Sequence, residues 1–194
     1  MLATDEDYER VTFTDTELDS VTAGNCHFLG CTFDRGSFTG ARMRKCRFTD
    51  TALRDTRFVA TELAETGWQD STLTGCALAG VQAFGSSLRR VTFRDCKLDA
   101  VNFRTSTLID VTFDNCLLRE VNFGGAKLRR VTFGASTLER ADFTKATCTD
   151  VDLRGARLGI SAGYDALRGT TIDSIQLVGL APMFAHHLGI KVED

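Results

Sequence analysis

Residues 88–143 read LRRVTFRDCKLDAVNFRTSTLIDVTFDNCLLREVNFGGAKLRRVTFGASTLERADF. A large apolar residue returns at every fifth position: Leu88, Phe93, Leu98, Phe103, Leu108, Phe113, Leu118, Phe123, Leu128, Phe133, Leu138, Phe143. The same step runs back through Trp68, Phe58, Phe48, Phe33, Phe28 and Phe13 to Tyr8, and forward through Cys148 and Leu153 to Leu158. All 31 of these positions are apolar in a chain that is 43% hydrophobic, and they hold twelve of its 14 Phe. The residue two places earlier, from Val11 to Ala156, is never larger than Val. Nearly all the charge falls on the other three positions. A period of five fits neither the 3.6 of a helix nor the 2 of a strand. It fits a chain that turns a corner every five residues, with one large and one small side chain pointing inward on each side. Four sides make a square coil of about 20 residues, and stacked coils would be joined by backbone hydrogen bonds at the ~4.8 Å strand spacing.

A superperiod of 20 appears independently. Thr12, Thr32, Thr72, Thr92, Thr112 and Thr132 form a ladder on one outer side. Phe93, Phe113 and Phe133 make one inner column, with Phe103, Phe123 and Phe143 opposite. Earlier in the chain the aromatic columns are Phe28, Phe48, Trp68 and Phe38, Phe58, a quarter-turn away. The changeover includes the weak centre Ala83 and the outward Phe84, so a local distortion of the coil is expected over 79–87.

The triplets VNF (121–123), VTF (131–133) and ADF (141–143), each followed by two variable residues, resemble the pentapeptide repeat family, whose consensus is A-(D/N)-L-x-x. The resemblance covers residues 8–158 without a frame loss. It implies an all-β right-handed quadrilateral β-helix, a pentapeptide repeat solenoid of about seven and a half coils and roughly 36 Å. Residues 1–158 form this β-helix in the expected division, 159–172 a loop with a last partial coil, and 173–194 a C-terminal α-helical cap.

Composition and side-chain chemistry narrow the function. The chain has 194 residues, one Pro and a net charge of −3, which points neither to nucleic-acid binding nor to a strongly acidic solvating protein. No apolar run approaches the roughly 18 residues of a membrane helix. The acidic start MLATDEDYER is unlike a secretory signal, so a cytoplasmic setting with reduced thiols is expected. Six of the seven Cys (26, 31, 46, 76, 96, 116) take the small inward position and Cys148 a centre. Buried Cys is a small hydrophobe, and no chelating C-x₂-C spacing occurs. The three His are His27, His186 and His187, and no inward position carries an acid, base or His. No catalytic residue, no metal site and no cofactor are therefore expected, and a filled interior would leave no pocket.

Charge is uneven: residues 1–85 carry −5, 86–158 carry +4 and 159–194 carry −2. Arg89, Arg90, Lys127, Arg129 and Arg130 share one side of the 20-residue map, and with Phe84 they are the expected surface for an acidic protein partner. After Leu158 the register fails. Asp173 can cap a helix that Pro182 interrupts, giving a kink or two short helices near 174–180 and 182–188, ended by Gly189. Ile175, Val178, Met183, Phe184 and Leu188 are too apolar for a free tail. They are expected both to cover the end of the coil and to form a homodimer interface. This ending is similar to the C-terminal element of bacterial pentapeptide repeat proteins that confer quinolone resistance. That similarity implies a homodimeric, DNA-like rod that binds DNA gyrase. Two features depart from it: the basic C-terminal half, and the absence of any inserted loop. The expected function is thus a rigid, non-catalytic protein-binding scaffold of unidentified partner, with a gyrase-directed DNA mimic as the alternative.

Overall fold

The computed structural model describes residues 2–193. Its chain climbs as a four-sided coil, each side a strand of about three residues around one inward centre. The first face stacks eight parallel strands from Asp7–Glu9 to Thr147–Thr149, with centres Tyr8, Phe28, Phe48, Trp68, Leu88, Leu108, Leu128 and Cys148. The second and third faces are six-stranded parallel sheets. The fourth is a ladder of single bridges running Thr22, Arg42, Glu62, Gln82, Asn102, Asn122, Asp142. Register is 20 residues in every coil up to Leu158, as in Thr92 opposite Thr112 and Phe93 opposite Phe113, and 19 where Val151 pairs with Thr170. Two hydrogen bonds illustrate the stacking rule: Arg10 N–H donates to the Leu29 carbonyl at 2.8 Å, and His27 N–H to the Glu6 carbonyl at 3.0 Å.

The corners have a uniform geometry. Every fifth residue from Asp5 to Gly155 lies in the left-handed region, with φ between 48° and 76°. Twenty-four of these corners are not glycine, although each costs an L-residue about 1–2 kcal/mol. Asp and Asn, which tolerate this region best, fill many of them, including Asp15, Asn25, Asp55, Asp95 and Asn115. The conformation persists because most corner N–H groups are committed to the next coil, as Asp95 N–H is to the Asp114 carbonyl at 3.0 Å.

Inside, the centres and small residues fill the square. Phe113 is fully buried between Phe93 at 4.9 Å and Phe133 at 5.0 Å, both rings nearly parallel to it. Phe48 stacks on Phe28 at 5.0 Å and on Trp68 at 3.9 Å. Hydroxyls at the small position satisfy themselves on the coil below: Ser86 Oγ donates to the Leu63 carbonyl at 3.0 Å and Ser106 Oγ to the Ala83 carbonyl at 2.9 Å. Three centres, Tyr8, Phe13 and Leu158, are only half-buried, because end coils have a neighbour on one side. Leu2 tucks under the first coil, where Ala3 N–H donates to Tyr8 Oη at 3.1 Å.

Three expectations need correction. The coil is not distorted over 79–87: Ala77–Ala79 and Ser87–Arg89 pair in register, and Gln82 bridges to both Glu62 and Asn102. The column changeover is absorbed inside, where short Ala83 faces Phe58, Trp68 and Phe103 across an apolar cavity of about 20 Å³. The interior is therefore not completely filled. Second, 159–169 is not a loop. A strand Arg157–Ala162 continues the third face, with a one-residue shift that turns Ile160 inward, and a 3₁₀ turn Tyr164–Leu167 follows. Gly163, at φ 83°, makes this closure possible, since a Cβ there would lie 2.1 Å from the Phe143 carbonyl carbon. Thr170–Thr171 then pairs with Val151–Asp152 to end the coil. Third, Pro182 does not split the helix. A single helix α1 spans Ser174–His187, with exposed Pro182 flanked by buried Leu180 and by Met183, which meets Tyr164.

One side chain fastens the start of helix α1. Asp173 accepts from Gln176 N–H at 2.8 Å, while Gln176 Oε1 accepts from Asp173 N–H at 2.8 Å, a reciprocal capping box. Gln176 Nε2 also donates to the Leu153 and Ala156 carbonyls at 2.6 and 2.7 Å. It thereby satisfies carbonyls of the last coil that have no further coil above them. Leu180 is buried beneath the helix, and Tyr164 Oη donates to the Ile160 carbonyl at 2.7 Å.

Candidate interaction surfaces

The rod offers two surfaces of distinct chemistry. The first is the outer side of α1. Residues 176, 180 and 183 face the coil, so 175, 178, 182 and 185 recur on the opposite stripe at helical spacing. Ile175 is 83% exposed, Val178 74% and Leu188 71%, with Leu177, Ile190 and Val192 exposed beside them. Val178, Ala181, Pro182, Ala185, Ile190 and Val192 line a groove of about 530 Å³ between the helix and the residues that follow it. Met183 and Phe184 lie elsewhere: both are half-buried, and Met183 Sδ lies 3.5 Å from Tyr164 Oη. Of the five residues expected at an interface, the structure brings Ile175, Val178 and Leu188 to the outer surface and leaves Met183 and Phe184 half-buried. At the end of α1, His187 Nε2 lies 3.0 Å from Asp165 Oδ1.

The second surface is the first face. Its outward positions from the second coil onward are His27, Leu29, Arg47, Thr49, Gly67, Gln69, Ser87, Arg89, Thr107, Ile109, Lys127, Arg129, Thr147 and Thr149. Four are cations and none is an acid. Arg89, Lys127 and Arg129 stand where the sequence placed them. Arg90 and Arg130 are corner residues at the rim and are occupied: Arg90 pairs with Asp70, and Arg130 Nη2 donates to Asp110 Oδ2 at 2.8 Å. Phe84 lies on the fourth face, half-buried, away from this group. Arg47 was not singled out from sequence because it precedes the basic half, yet the 20-residue register puts it on the same face.

Similar acid–arginine pairs one coil apart run along the rod: Asp15 with Arg35, Asp99 with Arg119, Glu120 with Arg140. Arg44 meets Glu65 at 2.6 Å and Glu62 at 3.2 Å. The partnering guanidinium holds each of Asp15, Asp99 and Asp110 below the usual carboxylate range, and Arg90, with Gln69, holds Asp70 at about 2. All seven thiols are free and buried. Burial pushes Cys46 up to about 12 and Cys148 to about 11, far from the thiolate that metal ligation or nucleophilic attack requires. Among the described residues no three His, Cys, Asp or Glu side chains group as a metal site, and no helix is long and apolar enough to cross a membrane.

A parallel four-sided solenoid with one apolar column per side defines the class, and the family follows from it. Residues 66–143 match the family profile described as pentapeptide repeat region, and residues 13–50 match that of pentapeptide repeats (8 copies). Together these matches span more than half of the chain, which belongs to the pentapeptide repeat family. A search of curated proteins gives no match. Among solved structures the chain is similar to HetL, a pentapeptide repeat protein involved in heterocyst differentiation regulation from the cyanobacterium Nostoc sp. strain PCC 7120. That likeness has a TM-score of 0.52 at 14% identity and covers 89% of this chain and 92% of that one. A trypsin-treated form of QnrB1, a plasmid-mediated fluoroquinolone resistance protein, matches with a TM-score of 0.45 at 21% identity over 100% of both chains. A pentapeptide repeat protein of the Arabidopsis thaliana thylakoid lumen matches at 0.47 and 20% identity, covering 54% of this chain and 73% of that one. At these identities the likeness is one of fold.

Proposed function

We propose that this chain is a rigid, non-catalytic protein-binding scaffold that works as a homodimer through the outer side of α1. The observation that carries the reading is the exposed apolar stripe Ile175, Val178, Leu188 beside the groove at Ile190 and Val192. An apolar patch of this kind marks a contact surface in a folded protein, and a twofold arrangement would cover it with its own copy. The coil supplies rigidity, its interior being closed to all but a cavity of about 20 Å³. Seven unpaired buried thiols agree with a cytoplasmic setting. The charge pattern weighs against the gyrase-directed alternative: duplex DNA presents a negative charge about every 1.7 Å of axis, whereas the first face is cationic. Sedimentation equilibrium should report about twice 21.3 kDa, and Val178→Asp should shift the protein to monomer with an unchanged circular dichroism spectrum. Phe184→Asp is the poorer test, because Phe184 is already half-buried. A wild-type monomer at micromolar concentration would reduce α1 to a lid.

A further inference from the structure

The first face contains a notch. Gly67 is the one outward position of its middle coils without a side chain, standing between Arg47 below and Ser87 above. The resulting hollow of about 220 Å³ is lined by Arg47, Thr49, Gly67, Trp68, Gln69, Ser87 and Arg89. Its walls are thus two guanidinium groups, two hydroxyls and an amide, over the 7% exposed edge of the only Trp in the chain. Arg47, Arg89, Lys127 and Arg129 have no carboxylate within ion-pair distance among the described residues. Arg89 and Arg129 share a column with only Ile109 between them, two coils or roughly 9.6 Å apart.

We infer that this face receives an acidic α-helix of a protein partner, laid along the rod axis with one carboxylate seated between Arg47 and Arg89. The inference rests on the scaffold reading above and names the partner's chemistry. Three features select the occupant. Fixed guanidinium groups favour carboxylates through paired N–H···O bonds. Residues i and i+7 of a helix are about 10.5 Å apart, close to the Arg89–Arg129 repeat. A three-residue strand makes the face about 10 Å wide, the width of a helix with its side chains, about 10–12 Å. A nucleic-acid duplex is wider and would overlie the exposed rim carboxylates Asp50 and Asp150. Half-buried Ile109 and exposed Leu29 offer the helix apolar contacts beside the cations.

The test is titration of the intact protein with a synthetic helical peptide carrying Glu at i, i+3, i+4 and i+7, read by Trp68 emission. The peptide with Gln for Glu and a duplex DNA serve as comparison ligands. The Glu peptide should shift the emission saturably, with affinity falling as salt rises. Arg89→Glu with Arg129→Glu should weaken it by about tenfold or more. Gly67→Leu should do the same by filling the notch, since a Cβ at Gly67 meets only Arg47 Cγ at 3.7 Å and the fold tolerates it. Arg90→Gln, at the occupied rim, should change affinity less than about twofold. No response to the Glu peptide, an equal response to the Gln peptide, or tighter binding of the duplex would overturn the inference. Sedimentation of the same samples reports the dimer separately, so either reading can fail alone.

Discussion

At the scale of the residue, one period assigns opposite fates to neighbours. Phe113 stacks between two rings in a sealed column, while Arg119, six residues on, holds Asp99 across open solvent. Phe113→Ala should cost about 3–5 kcal/mol in chemical denaturation, as the flanking rings cannot close the gap. Arg119→Ala should cost less than about 1 kcal/mol, the range of an exposed pair. Inward and outward positions were legible in the sequence because burial follows the five-residue step with no competing signal. The corner conformation was not. Thr105 and Ala100 sit at φ 55° and 51°, where composition alone suggests Gly or Asn, and only stacking on the neighbouring coils imposes it. The fate of Arg90 was equally hidden, because its partner Asp70 is near it in space and 20 residues away in sequence.

At the scale of the element, α1 and the last coil form one unit through Gln176. Its amide closes the capping box and two coil carbonyls together. Gln176→Leu keeps the volume and leaves those groups without partners, at about 1–3 kcal/mol for a buried group. Hydrogen exchange should show the α1 amides opening faster in this variant while the coil amides of residues 88–143 keep their protection. The sequence announced a helix start at Asp173, since Asp followed three residues later by Gln is a capping signature. It misled at Pro182 and over 159–169. In both places the deciding force is contact with a coil end, which no local pattern encodes.

At the scale of the whole molecule, acid stability should follow the ion-pair ladders. Asp70 is held at about 2 against an ordinary 3.8, and Asp15, Asp99 and Asp110 are lowered by their arginines. A carboxylate whose folded value lies below its unfolded one stabilises the fold above the unfolded value and loses that contribution as pH falls through the folded one. The melting temperature should therefore be level above about pH 5 and fall between about pH 4 and 2. A curve still level at pH 2 would mean that these pairs contribute nothing to folding. The helical rise itself was readable from sequence, whereas the two surfaces emerged only when residues 20 apart were placed side by side. That register also governs how such a chain can change length. A duplication or loss of 20 residues adds or removes a storey and leaves every face continuous. A change of five keeps the interior packed but rotates everything beyond it by a quarter-turn, parting Arg47 from Arg129. The aromatic columns that change sides near Ala83 have the form of such a step, with the cavity there as its seam. The lineage of this rod can vary its height freely in whole turns, and can redraw its surfaces by a single five-residue slip without redesigning its core.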